Sequence, residues 1–271
     1  MILFATKYNK KKHPNATPTK DSSKLEVIWT VIPTLLVLAM FYYGWVGYRP
    51  MRQIPKEAIA VKATGKMWSW SFEYENGKWD SILHVPINKP VRLDLFSPDV
   101  LHSLFIPAFR IKEDVVPGIG NQMWFRAEKL GEYDIFCAEY CGLKHSYMLS
   151  KVRVLPEDEY EKWYNTKQAL PEGVMPGEMA IKKHGCNACH STDGTRLVGP
   201  SFRGAFNTKR TVIIDGETKE ITADEAYLIN SIRNPNSEIV ESYPKGVMIE
   251  YKDQITDEEI QQIVDYIKSL K

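Results

Sequence analysis

The sequence predicts a membrane-anchored, multi-domain protein: one transmembrane helix, then a β-sandwich, then an all-α domain. Three observations carry this. The run Val27–Val46 contains no charged residue and is long enough to span a bilayer as a helix. From about Ile59 apolar residues recur with period two between Gly- and Pro-containing turns. Near the C-terminus, Thr-x-x-Glu signatures precede apolar residues at helical spacing.

With 271 residues there is room for two modest domains beside a membrane segment. A net charge of +1 argues against a nucleic-acid partner. Residues 1–24 form a basic N-terminal segment, with Lys7, Lys10, Lys11, Lys12, Lys20 and Lys24 against the single acid Asp21. The transmembrane helix is expected over 25–48, in contact with lipid. Trp29, Phe41, Tyr42, Tyr43 and Trp45 lie near its ends, where aromatic belts form, and Pro33 sits in its first turns. Lysines outnumber the cations that follow (Arg49, Arg52, Lys56), which predicts a cytoplasmic N-terminus and places the remainder outside. A signal peptide is the weaker reading: the run is long for one and lacks a small-residue cleavage site.

The sandwich pattern is clearest in three places. Val91, Leu93 and Leu95 alternate with Arg92, Asp94 and Phe96; Tyr133 and Ile135 alternate with Glu132, Asp134 and Phe136; Met148, Ser150, Val152 and Val154 share one face. A short helix over Pro156–Tyr164 closes the domain, assigned to 49–165, and a Pro/Gly-rich linker over 166–177 follows. In the third domain, 178–271, Thr222 with Glu225 and Thr256 with Glu259 predict two capped helices. Ile260, Ile263, Val264 and Ile267 form the buried stripe of the second. His13 and His84 read as solvated.

The four cysteines fall in two pairs, each beside a histidine. Cys137-Ala-Glu-Tyr-Cys141-Gly-Leu-Lys-His145-Ser-Tyr-Met148 gathers two thiols, an imidazole and a thioether. Soft ligands with a methionine among them favour copper over zinc. These residues alone also leave open a Cys137–Cys141 disulfide. Upstream, His102 lies in Ser97-Pro-Asp-Val-Leu-His-Ser, on a loop between strand-like runs. The other pair is Cys186-Asn-Ala-Cys189-His190, the spacing of covalent c-type heme attachment. A zinc knuckle could share that spacing.

The segments DVLHS, VPG, CAEYCG and HSYM resemble the copper A domain of cytochrome c oxidase subunit II, a cupredoxin-like fold. The resemblance implies a binuclear copper centre held by His102, Cys137, Cys141, His145, Met148 and the backbone carbonyl of Glu139. It further implies a magnesium ion bound through the Glu139 side chain at the interface with subunit I. GKMWSWSFEY resembles the family's aromatic patch, which makes Trp68 the expected electron-transfer tryptophan. Leu25-Glu26-Val-Ile-Trp-Thr-Val-Ile-Pro33 resembles the start of the family's second membrane helix, where the residue matching Glu26 stands at the mouth of a proton channel; a plain interfacial carboxylate is the alternative. Members usually carry two membrane helices; residues 1–12 read like the end of the first followed by its basic loop.

The C-terminal domain resembles class I cytochromes c. Gly199-Pro200 matches the loop whose proline carbonyl orients the heme histidine, and Met248 is the expected distal ligand, although Ile249 stands where the family usually has proline. The implied protein is subunit II of a bacterial terminal oxidase in the inner membrane, with copper and heme domains on the periplasmic side. It takes electrons from a cytochrome c or a quinol-oxidising complex through heme c and copper A to subunit I, where oxygen is reduced to water and protons are pumped. The alternatives are a membrane-anchored heme c/copper electron carrier and the copper A subunit of a nitrogen-oxide reductase.

Overall fold

The computed structural model describes residues 1–15, 20–167, 170–251 and 254–271. Met1–Gln53 and Ile54–Lys271 are separate compact units.

In the first unit, the short helix α1 (Ile2–Lys7) precedes the long helix α2 (Ser23–Arg52). Among the described residues α2 alone is long and apolar enough to cross a membrane. No side chain of α2 is buried within the protein, as expected of a helix whose apolar surface faces lipid. It runs past the uncharged stretch at both ends, taking in Glu26 in its first turn and Arg49 and Arg52 in its last, each sign at the pole of the helix dipole that favours it.

The second unit begins with the sandwich. Its strands are β1 (Ile59–Lys66), β2 (Ser69–Tyr74), β3 (Trp79–Asp80), β4 (Leu83–Pro86), β5 (Pro90–Phe96), β6 (His102–Ile106), β7 (Ile111–Val115), β8 (Asn121–Arg126), β9 (Gly131–Cys137) and β10 (Leu149–Leu155). They form two sheets in the orders β3-β2-β1-β5-β8 and β4-β10-β9-β6-β7. Phe72, Leu83, Leu93, Leu104, Ile106 and Ile135 fill the space between them. On β9 the alternation that buries Ile135 also turns Cys137 inward, and on β6 the face carrying Leu104 and Ile106 also carries His102. Period two therefore delivers two chemically active side chains to the inside at strand ends. Helix α3 (Glu157–Asn165) closes the edge, where Trp163 stacks on His84 at 4.3 Å. His84 is only 4% exposed, not solvated as its polar neighbours in the sequence suggested. The short β4 places it inside because that strand is buried along its whole length.

The third domain opens with α4 (Pro176–Lys183), which starts within the stretch read as linker because proline suits the first helical position. Strands β11 (Lys209–Ile214) and β12 (Glu217–Thr222), helix α5 (Glu225–Arg233), β13 (Ile239–Val240) and helix α6 (Asp257–Ser269) follow. The domain is helical around its core, but β12-β11-β13 adds a three-stranded sheet the sequence did not announce. That sheet corrects one cap. Thr222 pairs with Lys209 in the β11–β12 ladder, so Asp224 caps α5 by accepting from the Tyr227 amide at 2.9 Å. The Thr256–Glu259 capping box of α6 forms in full, and Ile260, Ile263, Val264 and Ile267 are buried. Helices α4 and α6 cross so closely that a Cβ on Gly177 would fall on the Gln262 carbonyl.

Candidate functional site

The copper-type donors gather at one end of the sandwich. Leu104 on β6 pairs with Cys137 on β9, the Ala138 amide donates to the Ser103 carbonyl at 2.9 Å, and the Cys137 amide donates to the Met148 carbonyl at 3.3 Å. These bonds hold both ends of the loop 138–148 beside His102. Cys137 and Cys141 are free thiols with sulfurs 3.7 Å apart, which removes the disulfide reading. The His102 Nδ1 stands 3.9 Å from the Cys137 sulfur, the His145 Nδ1 3.5 Å from the Cys141 sulfur, and the Met148 sulfur 3.8 Å from the latter. The Glu139 carbonyl lies 3.3 Å from the Cys137 sulfur, while its side chain is exposed. Donor atoms of His102, Cys137 and Cys141 all lie within 4.8 Å of one another, and all three residues are buried. Two thiols at this separation, flanked by imidazole nitrogens and a thioether, fit a soft metal pair.

Electrostatics distinguish the thiols. Burial opposes ionisation of Cys137, but hydrogen bonding from His102 and from backbone groups outweighs it and its pKa falls. Burial and the neighbouring Cys137 charge push Cys141 up. A cation between the two sulfurs would favour the thiolate form of both.

One residue of this site is absent from the sequence reading. The Asp99 carboxylate lies 2.9 Å from the His102 Nε2 and accepts the Met67 amide at 2.7 Å. It fixes which ring nitrogen faces the thiols, the usual role of a carboxylate behind a metal-binding histidine. Its only sequence signal was the Asp-x-x-His spacing. Trp68, itself buried, donates from its indole nitrogen to the Cys141 carbonyl at 3.0 Å, and its ring lies against Gly142.

The second site is a cavity. Its wall is mostly apolar and is drawn from the heme-attachment segment, α5, α6 and the sandwich. Cys186, Cys189, His190 and Met248 all line it, with Ile263 and Ile267 of α6. The CxxCH segment turns tightly, the His190 amide donating to the Cys186 carbonyl at 2.9 Å. His190 Nδ1 donates to the Pro200 carbonyl at 2.7 Å, which leaves Nε2 for a metal. Phe202 stacks on the imidazole at 4.8 Å, and any Cβ on Gly199 would strike the ring. Burial pushes the His190 pKa down, keeping the imidazole a neutral ligand. The two thiols, the apolar wall and the oriented histidine fit a heme. Met248 lies in the stretch 241–251, which has no helix or strand.

Three family models match the chain in order: cytochrome c oxidase subunit II transmembrane domain over residues 1–44, its periplasmic domain over 77–155, and cytochrome c over 174–271. The subunit 2 of Alkalihalophilus pseudofirmus cytochrome c oxidase is 30% identical over 287 aligned positions, covering all of this chain and 80% of that protein. The chain belongs to the cytochrome c oxidase subunit II family. A second relative, the alternative cytochrome c oxidase subunit 2 of Bradyrhizobium diazoefficiens, is 32% identical, covering 63% of this chain and 74% of its own length. The crystal structure of the periplasmic domain of subunit II from Bradyrhizobium japonicum shares 36% identity over 41% of this chain and 94% of its own, with a TM-score of 0.39.

As a subunit II with a fused cytochrome c domain, the chain is an electron-transfer component of an oxidase complex, and its domains imply copper A and heme. The membrane helix and the periplasmic-domain match make it membrane-anchored with a periplasmic portion. The side chains expected at the copper site converge there, and those expected at the heme line one cavity. Glu26 lies on α2, in the other unit.

Proposed function

We propose that this chain is the electron-accepting subunit of a terminal oxidase, conducting electrons from heme c through copper A to subunit I, where oxygen becomes water and protons are pumped. Heme c and the copper pair, when bound, supply one-electron carriers of adjustable potential. The protein supplies their placement. Cys186 and Cys189 would hold the heme covalently, and His190 and Met248 would bind its iron. His102, Cys137, Cys141, His145, Met148 and the Glu139 carbonyl would hold the copper pair.

The single observation that carries this reading is the composition of the heme cavity wall, which brings the two cofactor sites together. Lys66, Met67 and Asp99 of the sandwich line the same cavity as the CxxCH residues. Asp99 in turn touches His102 of the copper cluster. A fused heme held there replaces diffusional encounter with an intramolecular one. Trp68, bonded to the Cys141 carbonyl, is the proposed conducting ring.

The Glu139 carboxylate, exposed beside the copper loop, is the proposed magnesium ligand, and Glu26 the proposed proton-channel residue. The partners are oxidase subunit I and its companions, with a cytochrome c or a quinol-oxidising complex as donor. The proposed orientation is a cytoplasmic N-terminus in a bacterial inner membrane.

Flash-induced electron transfer in the purified oxidase, followed at heme and copper separately, tests this. Wild type should show copper reduced as heme is oxidised, and Trp68→Ala should slow that step with both cofactors retained. Copper reduction that precedes heme reduction would reverse the direction. A chain that leaves the membrane with no oxidase subunit would favour the free carrier.

A further inference from the structure

Lys66 ends β1 where the hairpin to β2 turns. Lysine is seldom buried, yet Lys66 is 6% exposed. Its side chain lies across the heme-attachment loop: Cε would stand 3.0 Å from a Cβ on Gly185, and Nζ lies 5.5 Å over the Tyr251 ring. Both Gly185 and Tyr251 belong to the cytochrome domain, and with Lys66 and Cys186 they line the heme cavity. Ser69, three residues on, also abuts Gly185, which adopts φ +66° and has no room for a side chain. A second lysine reaches across from the copper loop, the Lys144 ammonium donating to the Ala188 carbonyl at 2.6 Å between the two heme cysteines.

These two lysines act differently. Lys144 makes an ordinary charge-assisted hydrogen bond. Lys66 is buried, and the desolvation of its ammonium is opposed by the Tyr251 ring face and the Asp99 carboxylate. Burial pulls its pKa down to about 8. A fixed positive charge in a poorly screened wall favours the reduced, less positive form of a neighbouring redox centre.

We propose that Lys66 is a positioning residue contributed by the copper domain to the heme site: it seats the CxxCH loop and its buried charge raises the heme's affinity for an electron. This rests on the reading that Cys186, Cys189 and His190 hold heme c. The potential of the heme is then set partly by the domain it delivers electrons to, and the electron is held at the heme more firmly while the domains are docked.

The test uses the full chain in its purified oxidase. Heme absorbance is titrated against potential in wild type, Lys66→Met and Lys66→Arg, with covalent heme content measured in each. Lys66→Met keeps the apolar stem and should weaken electron affinity about tenfold, 59 mV for a one-electron couple. Lys66→Arg should stay close to wild type. Independently, amine acylation read by mass spectrometry should modify Lys209, 77% exposed, and spare Lys66. A Lys66→Met heme that titrates like wild type would overturn the charge assignment, as would an equal shift in Lys66→Arg. Labelling of Lys66 as fast as Lys209 would overturn the seat. Absence of covalent heme from wild type would instead remove the heme reading, and this inference with it.

Discussion

The copper cluster and the heme cavity belong to one folded unit but are prepared in opposite ways. At the copper site strand pairing between β6 and β9 and the bonds at both ends of loop 138–148 bring sulfur and nitrogen atoms within a few ångströms of one another. At the heme site the chain supplies an oriented histidine and two thiols along one apolar cavity, and Met248 sits in a stretch of irregular backbone. An ion-sized ligand can be awaited by a rigid sheet. A macrocycle must itself be part of the core, so the domain around it is incomplete without it.

That contrast predicts unequal consequences of losing each ligand. The largest effect is expected from Cys186→Ser with Cys189→Ser. Without its covalent anchor the cavity is left unfilled, and limited proteolysis should cut within 176–271 while the sandwich resists; the copper paramagnetic signal should persist. Equal resistance of both domains would break the comparison.

Next comes Cys137→Ser or Cys141→Ser. A hydroxyl cannot replace a bridging thiolate, so the two-copper hyperfine pattern should vanish entirely. The sandwich should nonetheless melt within about 1–3 kcal/mol of wild type, the range for one buried polar change. Unfolding of the sandwich would show that the ion, and not the ladder, assembles the site.

Met248→Ala is expected to be milder. Covalent heme should remain, but the weak red absorption of oxidised thioether-ligated heme should disappear and the potential should fall, because a thioether raises it. An unchanged spectrum would assign the distal position to another residue.

The smallest effect is expected at the base of α6. Burial alone would raise the Glu259 pKa, but hydrogen bonds from Lys183 and the Thr256 amide, with the charges of His184 and Lys183, hold it at about 2. The folded value lies below the ordinary 4.5, so its stabilisation is complete above that pH and is lost as pH falls through about 2. Glu259→Gln should cost the domain about 1 kcal/mol at pH 7, a typical capping contribution, and the gap should close in acid. Thermal melts at pH 7 and at pH 2 check both magnitude and sign.

Much of this was legible in the residues, for a physical reason. Bilayer span, strand alternation and covalent heme spacing are local regularities, so Val27–Val46, the face shared by Ile135 and Cys137, and CxxCH announce themselves along the chain. The α6 cap is local too, and forms as Thr256 and Glu259 indicate. The cap at Thr222 failed because a non-local partner, Lys209, claims that residue for a strand.

What depends on residues distant in sequence was decided only by the tertiary structure. His84 looks polar and solvated in its segment, but the sandwich edge and Trp163 bury it. Asp99 becomes a support for His102, and Met67 its second partner, only when β1 and the loop before β6 are brought together. Lys66 reads as one more surface lysine until the heme loop closes over it. By itself the sequence determined which chemical groups are present and which local elements carry them, because both follow from covalent spacing and backbone period. Which nitrogen faces the thiols, which charge is buried, and which domain walls the heme are consequences of packing between segments, where desolvation and long-range contact set the energy and no local pattern records it.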